Sequence, residues 1–164
     1  MVYYKNLDPY AIQTLLVHYG IKVNCVDAEA DIPHSFWGAS EAGRKQNELY
    51  IRGDTPIHSI LHEACHYVCM PAIQRIETQM DAKGSVIEEN ATCYLQILLS
   101  DHIENFDRNQ LMQDMDEWGY SFRLGSANAW FSQDADEVYK WLIEHQIINI
   151  EGGITWNLRD ELIA

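Results

Sequence analysis

One stretch, residues 55–70, constrains this chain more than any other part of its sequence. It reads TPIHSILHEACHYVCM and contains a complete H-E-x-x-H pattern at positions 62–66. On a helix, His62 and His66 lie one turn apart on the same face, so both imidazoles can reach one metal ion. Glu63 lies about 100° round the helix from His62. There its carboxylate can hold a water molecule instead of the metal.

The ends of this helix are marked in the sequence. Thr55 suits the N-cap, Pro56 suits the first helical position, and Pro71 prevents continuation. One side of the helix is apolar with helical spacing, and the opposite side carries the histidines, including His58, together with Cys69. We therefore expect one face in the core and the other at a site. The alternative is a capped surface helix whose histidines face water, because short motifs also arise by chance.

Composition and charge exclude several classes of function. The chain has 164 residues, of which 47% are hydrophobic and 22% charged, so we expect a folded protein with its own core. There are 11 lysines and arginines against 25 aspartates and glutamates, which gives a net charge of −14. Such a surface repels phosphate backbones and anionic lipids. We therefore expect neither nucleic acid nor membrane as a partner.

The first residues and the cysteines favour a cytoplasmic location. No charged-then-apolar signal segment follows Met1, and no apolar run reaches the length needed to span a membrane. The spacing of Cys25, Cys65, Cys69 and Cys93 contains no C-x-x-C pair, so we interpret all four as reduced thiols. Cys69 could bind metal, but a small buried thiol is the commoner case.

The first half of the chain predicts an α+β arrangement. A helix opens at Asp8-Pro9 and stops near Gly20. Strands are expected at residues 21–26, 35–39 and 47–52, because these runs are short, apolar or alternating, and bounded by turn residues. This order predicts a helix, then a three-stranded sheet, and then the H-E-x-x-H helix.

The second half predicts helices and a final hairpin. Helical runs are expected at residues 72–82, from Ser85 to about Ser100, at 111–118, and from 134 onwards. Residues 147–158 predict a β-hairpin, since Gly152-Gly153 suits a tight turn between alternating apolar residues. We divide the chain into a core, residues 1–101, and a C-terminal lobe of helices and hairpin, residues 102–164, packed on that core.

The third metal ligand is the open question of the motif. A catalytic zinc site has three protein ligands and keeps a fourth position for water. The long metzincin pattern is excluded, because Ala72 stands where its third histidine would be. Glu77, Glu88 and Glu89 remain available. Glu88 begins a second helix, but Ser85-Val86-Ile87-Glu88 is also a capping-box pattern in which Glu88 would serve its own helix.

These segments resemble the ImmA/IrrE family of zinc peptidases, which are small gluzincins. The family pattern continues after H-E-x-x-H with a helix reading roughly E-x-x-A-N/D-x-F-A-x-x-L-L. Here that helix is ENATCYLQILL preceded by Glu88, with Ala91, Tyr94 and Leu98-Leu99 in register. The resemblance covers residues 8–101 and implies a minigluzincin-like fold, bound zinc, and Glu88 as third ligand, with Glu89 in reserve. Thr92 departs from the family's Asn or Asp, which can support a metal-bound histidine.

The expected activity is hydrolysis of peptide bonds in a specific protein partner. His62, His66 and Glu88 would hold Zn²⁺, and Glu63 would be the general base for a zinc-activated water. The candidates for stabilising the oxyanion are His58, Tyr94, His102, Tyr120 and His145. A histidine one turn before the motif, as His58 is, is more often exposed than buried in a cleft. The alternative is a zinc-binding regulatory module of the same fold without turnover, although an intact Glu63 favours an enzyme.

Overall fold

A computed structural model describes residues 1–76 and 84–161 of the chain. Its strands are β1 (Lys22–Cys25), β2 (Gly43–Lys45) and β3 (Glu48–Ile51). Its α-helices are α1 (Pro9–Val17), α2 (Ile57–Cys69), α3 (Ala72–Ile76), α4 (Val86–Ser100), α5 (Arg108–Trp118), α6 (Ala127–Gln133) and α7 (Asp136–Glu144). The α+β class with a three-stranded sheet is confirmed. None of the helices in the described ranges is long and apolar enough to cross a membrane.

The sheet is mixed and has β3 at its centre. β1 runs parallel to β3, with Val23 opposite Leu49, and β2 runs antiparallel, with Arg44 opposite Leu49. The prediction of a strand at residues 35–39 is wrong, because this segment is a loop before β2. The polar β2 carries no apolar alternation that would have revealed it; it forms because a tight turn at Gln46, with φ of 54°, returns the chain onto β3.

Helix α2 lies in the centre of the fold. Its predicted apolar face is confirmed, since all of its members are fully buried: Ile57, Ile60, Leu61, Ala64 and Val68. Burial of one such aliphatic side chain stabilises the fold by roughly 2 kcal/mol. The helix packs against β2 and β3 on one side and most extensively against α4 on another. This packing holds α2 and α4 side by side.

The ends of α2 and α4 differ in how well the sequence predicted them. The hydroxyl of Thr55 does not cap α2; it accepts a hydrogen bond from the Arg52 backbone nitrogen in the preceding turn, at 2.9 Å. The helix ends at Cys69, with Met70 as its C-cap directly before Pro71, which confirms that the helix does not continue past this proline. The Ser85 cap of α4 is confirmed, because its hydroxyl accepts from the Glu88 backbone nitrogen at 3.3 Å.

The C-terminal part packs onto α4. Helix α7 contacts α4, and the buried apolar side chains form one cluster from Tyr4 to Ile148. The predicted helices near 111–118 and from 134 are present as α5 and α7, whereas α6 was missed. The hairpin prediction is partly wrong: the chain reverses around Gly152, but Ile148 and Ile154 form a single bridge instead of two strands. Trp156, whose φ of 66° lies in the left-handed region, interrupts the extended backbone that the predicted second strand would need.

Candidate metal centre

Helix α2 presents the two histidines of the motif side by side. The Nε2 atoms of His62 and His66 are 3.0 Å apart, and the two rings are nearly perpendicular. Both side chains are partly buried and line a cleft of about 770 Å³. The expectation that one face of this helix lies in the core and the other lines a cleft is therefore met.

Glu89, from the first turn of α4, completes the group. Its Oε1 lies 3.1 Å from His62 Nε2, and its Oε2 lies 3.3 Å from His66 Nε2. Ligand atoms placed tetrahedrally about 2.0–2.1 Å from one zinc ion would be about 3.3 Å from each other. Two imidazole nitrogens and a carboxylate at these separations are the donor types and spacings that a zinc ion requires. The residues therefore fit the metal that the motif predicts.

The structure does not bring Glu88, the expected third ligand, into the group formed by His62, His66 and Glu89. The Glu88 carboxylate points away from the histidines, and its Oε1 accepts a hydrogen bond from Nη1 of Arg159 at 3.0 Å. Adjacent residues on a helix are about 100° apart, so only one of two neighbouring glutamates can face α2. The rotation of α4 gives that position to Glu89. The remaining alternative, Glu77, lies outside the described residues.

Gln96 fixes the orientation of His62. Its Oε1 lies 3.0 Å from His62 Nδ1, and its Nε2 donates to the backbone oxygen of His58 at 2.7 Å. The second bond determines which end of the amide faces His62. The imidazole must therefore carry a proton on Nδ1, so Nε2, which faces Glu89, is the nitrogen that a metal would bind. Gln96 is fully buried, so this amide is held firmly.

Sequence reasoning missed Gln96 and weighed Thr92 for this role. The Thr92 hydroxyl donates to the Glu88 backbone oxygen of its own helix, at 2.9 Å, which is an ordinary contact for a threonine in a helix. The signal for Gln96 was present: it is a polar residue in the apolar run LQILL, seven positions after Glu89. Residues seven apart share one helical face, so Gln96 follows Glu89 along the side of α4 that meets α2.

The charges in the centre favour ionised Glu89 and a neutral His66. Burial alone would raise the pKa of Glu89, but the hydrogen bond with His62 lowers this pKa. Burial, assisted by the nearby His62, lowers the pKa of His66 to about 4. A divalent cation would compete with any proton shared within this group, because metal binding requires unprotonated ligands.

Glu63, the predicted general base, lines the same cleft. Its Oε2 lies 3.9 Å from Nε of Arg44 on β2, and its side chain is about two-thirds buried. Burial raises the pKa of Glu63, and the positive charges of His62 and Arg44 oppose that shift. Glu63 is therefore a carboxylate near the histidines that is not held in the group formed with Glu89.

Of the five candidates for an oxyanion donor, only two line the cleft. His58 is buried, contrary to the expectation of exposure, and its Nδ1 lies 3.0 Å from the hydroxyl of Tyr120. Burial disfavours the charged form of each group, so it lowers the pKa of His58 to about 3 and raises the pKa of Tyr120 to about 12. Both side chains are therefore neutral near pH 7. The other three have partners elsewhere: Tyr94 packs on Phe131, His102 on Trp156, and His145 contacts Asp160.

Three comparisons with known proteins give no match to this chain. No protein-family model matches it, and neither a curated protein nor a solved structure gives a match. The interpretation of the cleft therefore depends on its residues and their geometry.

Proposed function

We propose that this protein is a zinc-dependent metallopeptidase of the minigluzincin type, related to the ImmA/IrrE peptidases that its motifs resemble. The observation that carries the proposal is the group of His62, His66 and Glu89 in a cleft that Glu63 also lines. Two histidines and a glutamate are the ligand set of catalytic zinc in metallopeptidases, where a fourth position remains for water or substrate. A structural zinc site would have four protein ligands.

The chemistry assigns one role to each side chain. When bound, Zn²⁺ lowers the pKa of a coordinated water and polarises a carbonyl oxygen. Glu63 takes a proton from the attacking water and passes it to the nitrogen of the leaving amine. The raised pKa of Glu63, caused by burial, supports this role, because a general base works best when its pKa approaches the working pH.

Tyr120 is the proposed donor to the oxyanion. Its ring lies against that of His62, with centroids 5.7 Å apart, and its hydroxyl is held by His58. A pKa of about 12 keeps the phenol protonated, as a donor requires. Gln96 also lies 3.4 Å from this hydroxyl, so the same amide orients a metal ligand and the proposed donor.

The alternative, a zinc-binding regulatory module without turnover, needs no base in the cleft. Glu63 lies in a partly buried position beside Arg44, and burying its carboxylate costs desolvation energy. A module without turnover would gain nothing from a carboxylate buried at this position. This observation supports the enzyme. The proposed substrate is a specific protein partner, and the proposed location is the cytoplasm, which the four free thiols support.

The test compares zinc-loaded wild-type protein with Glu63→Gln. Both are incubated with a peptide library, and new N-termini are identified by mass spectrometry, while zinc is measured by elemental mass spectrometry. We expect equal zinc content and a loss of cleavage of about 100-fold to 10,000-fold in the variant. Cleavage at the same rate by both proteins would overturn the proposal. Zinc without cleavage by either protein would favour the regulatory module.

A further inference from the structure

The rim of the cleft exposes large apolar side chains from three separate segments. Phe36 and Trp37 lie in the loop before β2, Val86 begins α4, and Trp118 ends α5. Trp37 is 78% exposed and Val86 80%. Exposed apolar residues are common when scattered singly, but a group around one cleft indicates a binding surface.

The loop that carries Phe36 and Trp37 has an ordered conformation. The Ser35 hydroxyl donates to the Gly38 backbone oxygen at 2.9 Å, and the two aromatic rings contact edge to face, with centroids 4.8 Å apart. A side chain at Gly43 would overlap with the Pro33 backbone, so the loop lies directly against β2. The two aromatic side chains therefore extend from a loop whose backbone is anchored against β2.

The charges of the cleft determine which ligand suits it. Among the described lining residues, three carry carboxylates, Glu41, Glu63 and Glu89, and one, Arg44, carries a guanidinium. Glu63 and Glu89 belong to the proposed catalytic centre, whereas Glu41 does not. The Oε1 atom of Glu41 accepts a hydrogen bond from the Trp118 indole nitrogen at 3.0 Å.

Glu41 and Trp118 offer a carboxylate and an indole face side by side at the cleft. A lysine or arginine side chain can make an ion pair with a carboxylate and lie on an indole face at the same time. The net charge of −14 would also attract a basic segment from a distance. An acidic segment would meet repulsion at the same point.

We propose that this cleft binds an extended protein segment in which a bulky apolar side chain lies near a lysine or arginine. The apolar side chain contacts Phe36, Trp37 and Val86, and the cation pairs with the Glu41 carboxylate while it lies on the indole face of Trp118. The inference rests on the proposed function only in that the bound segment is the one to be cleaved. It defines the substrate class by side chains that take no part in the chemistry.

Binding is tested separately from hydrolysis. Random peptides about a dozen residues long are passed over immobilised, zinc-loaded Glu63→Gln protein, and the retained peptides are sequenced by mass spectrometry. We expect peptides with both an aromatic or large aliphatic residue and a lysine or arginine to be enriched about threefold or more over the input. The enrichment should fall to background when the immobilised protein also carries Trp37→Ala and Glu41→Gln.

Matched changes outside the cleft control for general stickiness and charge. Ile150, 83% exposed, and Glu104, also exposed, do not line the cleft, so Ile150→Ala and Glu104→Gln should leave the enrichment intact. Equal loss in this control pair, or enrichment of acidic or small peptides, would overturn the inference. If the wild type cleaves the library without a preference for peptides that carry both kinds of residue, this inference is refuted and the proposed function is not affected. Selective binding without wild-type cleavage would support the inference and refute the proposed function.

Discussion

Arg159 and Glu88 form an ion pair that links the end of α2 to the start of α4. Nη1 of Arg159 lies 3.0 Å from the Glu88 carboxylate and 3.2 Å from the backbone oxygen of Cys69. The backbone nitrogen of Arg159 donates to the Val68 oxygen at 2.9 Å. The C-terminal segment thus holds together the two helices that carry the proposed metal ligands. It also holds Glu88 away from the metal centre.

The first prediction concerns this link. Arg159→Ala should lower the free energy of unfolding by about 2 kcal/mol, because it removes hydrogen bonds from a charged group and leaves Glu88 without its partner. Both side chains are largely buried, so little of this energy is lost to solvent screening. Urea unfolding would measure it. The control, Arg123→Ala, removes a highly exposed arginine from its pair with Asp134 and should cost less than about 0.5 kcal/mol. Equal losses in both variants would contradict the prediction.

The second prediction separates the two neighbouring glutamates. Glu89→Ala should lower zinc affinity by about 100-fold or more, since even residues that only support a ligand account for 10-fold to 100-fold. Glu88→Ala should keep zinc while losing stability, because Glu88 binds Arg159 instead. Zinc content after dialysis and competition with a chelator would measure both. Loss of zinc in Glu88→Ala alone would restore Glu88 as the ligand.

The third prediction concerns the support of His62. Gln96→Leu should reduce zinc affinity by about 10-fold to 100-fold, because His62 loses the acceptor that fixes its tautomer. The matched control is Thr92→Val, which has the same shape and removes a bond to the Glu88 backbone oxygen without any contact to His62. Its zinc affinity should stay within about twofold of the wild type. If both variants bind zinc equally, Gln96 has no positioning role.

The fourth prediction is a pH dependence caused by His58. Its pKa of about 3 in the folded protein lies below the ordinary value of 6.5, because burial disfavours the charged form. Between these values the unfolded chain binds more protons, so stability must fall as the pH decreases below about 6.5. The contribution lost at about pH 5 is about 2 kcal/mol.

Urea unfolding of metal-free protein would measure this effect. The wild type should lose more stability than His58→Gln when the pH is lowered from about 7.5 to about 5, since glutamine does not titrate. Glutamine can also keep a hydrogen bond to Tyr120. Parallel pH profiles for the two proteins would show that His58 is not the titrating group.

Much of the framework followed from local patterns. The spacing of His62 and His66 placed both imidazoles on one face of α2, and the apolar residues opposite them predicted its buried side. The Ser85 cap predicted the start of α4. These features depend on helical periodicity and on hydrogen bonds within a few residues, which is why they were accessible. Strand β2 was missed because its pairing with β3 comes from a turn and not from apolar alternation.

The sequence by itself determined that α4 begins with two adjacent carboxylates after a capped turn. Only the tertiary structure decided that Glu89 faces the histidines and that Gln96 holds His62. The rotation of α4 about its axis is set by packing on α2 and α7 and by Arg159, which lies 71 positions after Glu88. A rotation of about 100° exchanges the two glutamates. Nothing within one helix fixes that angle, because it depends on contacts with residues distant in the chain.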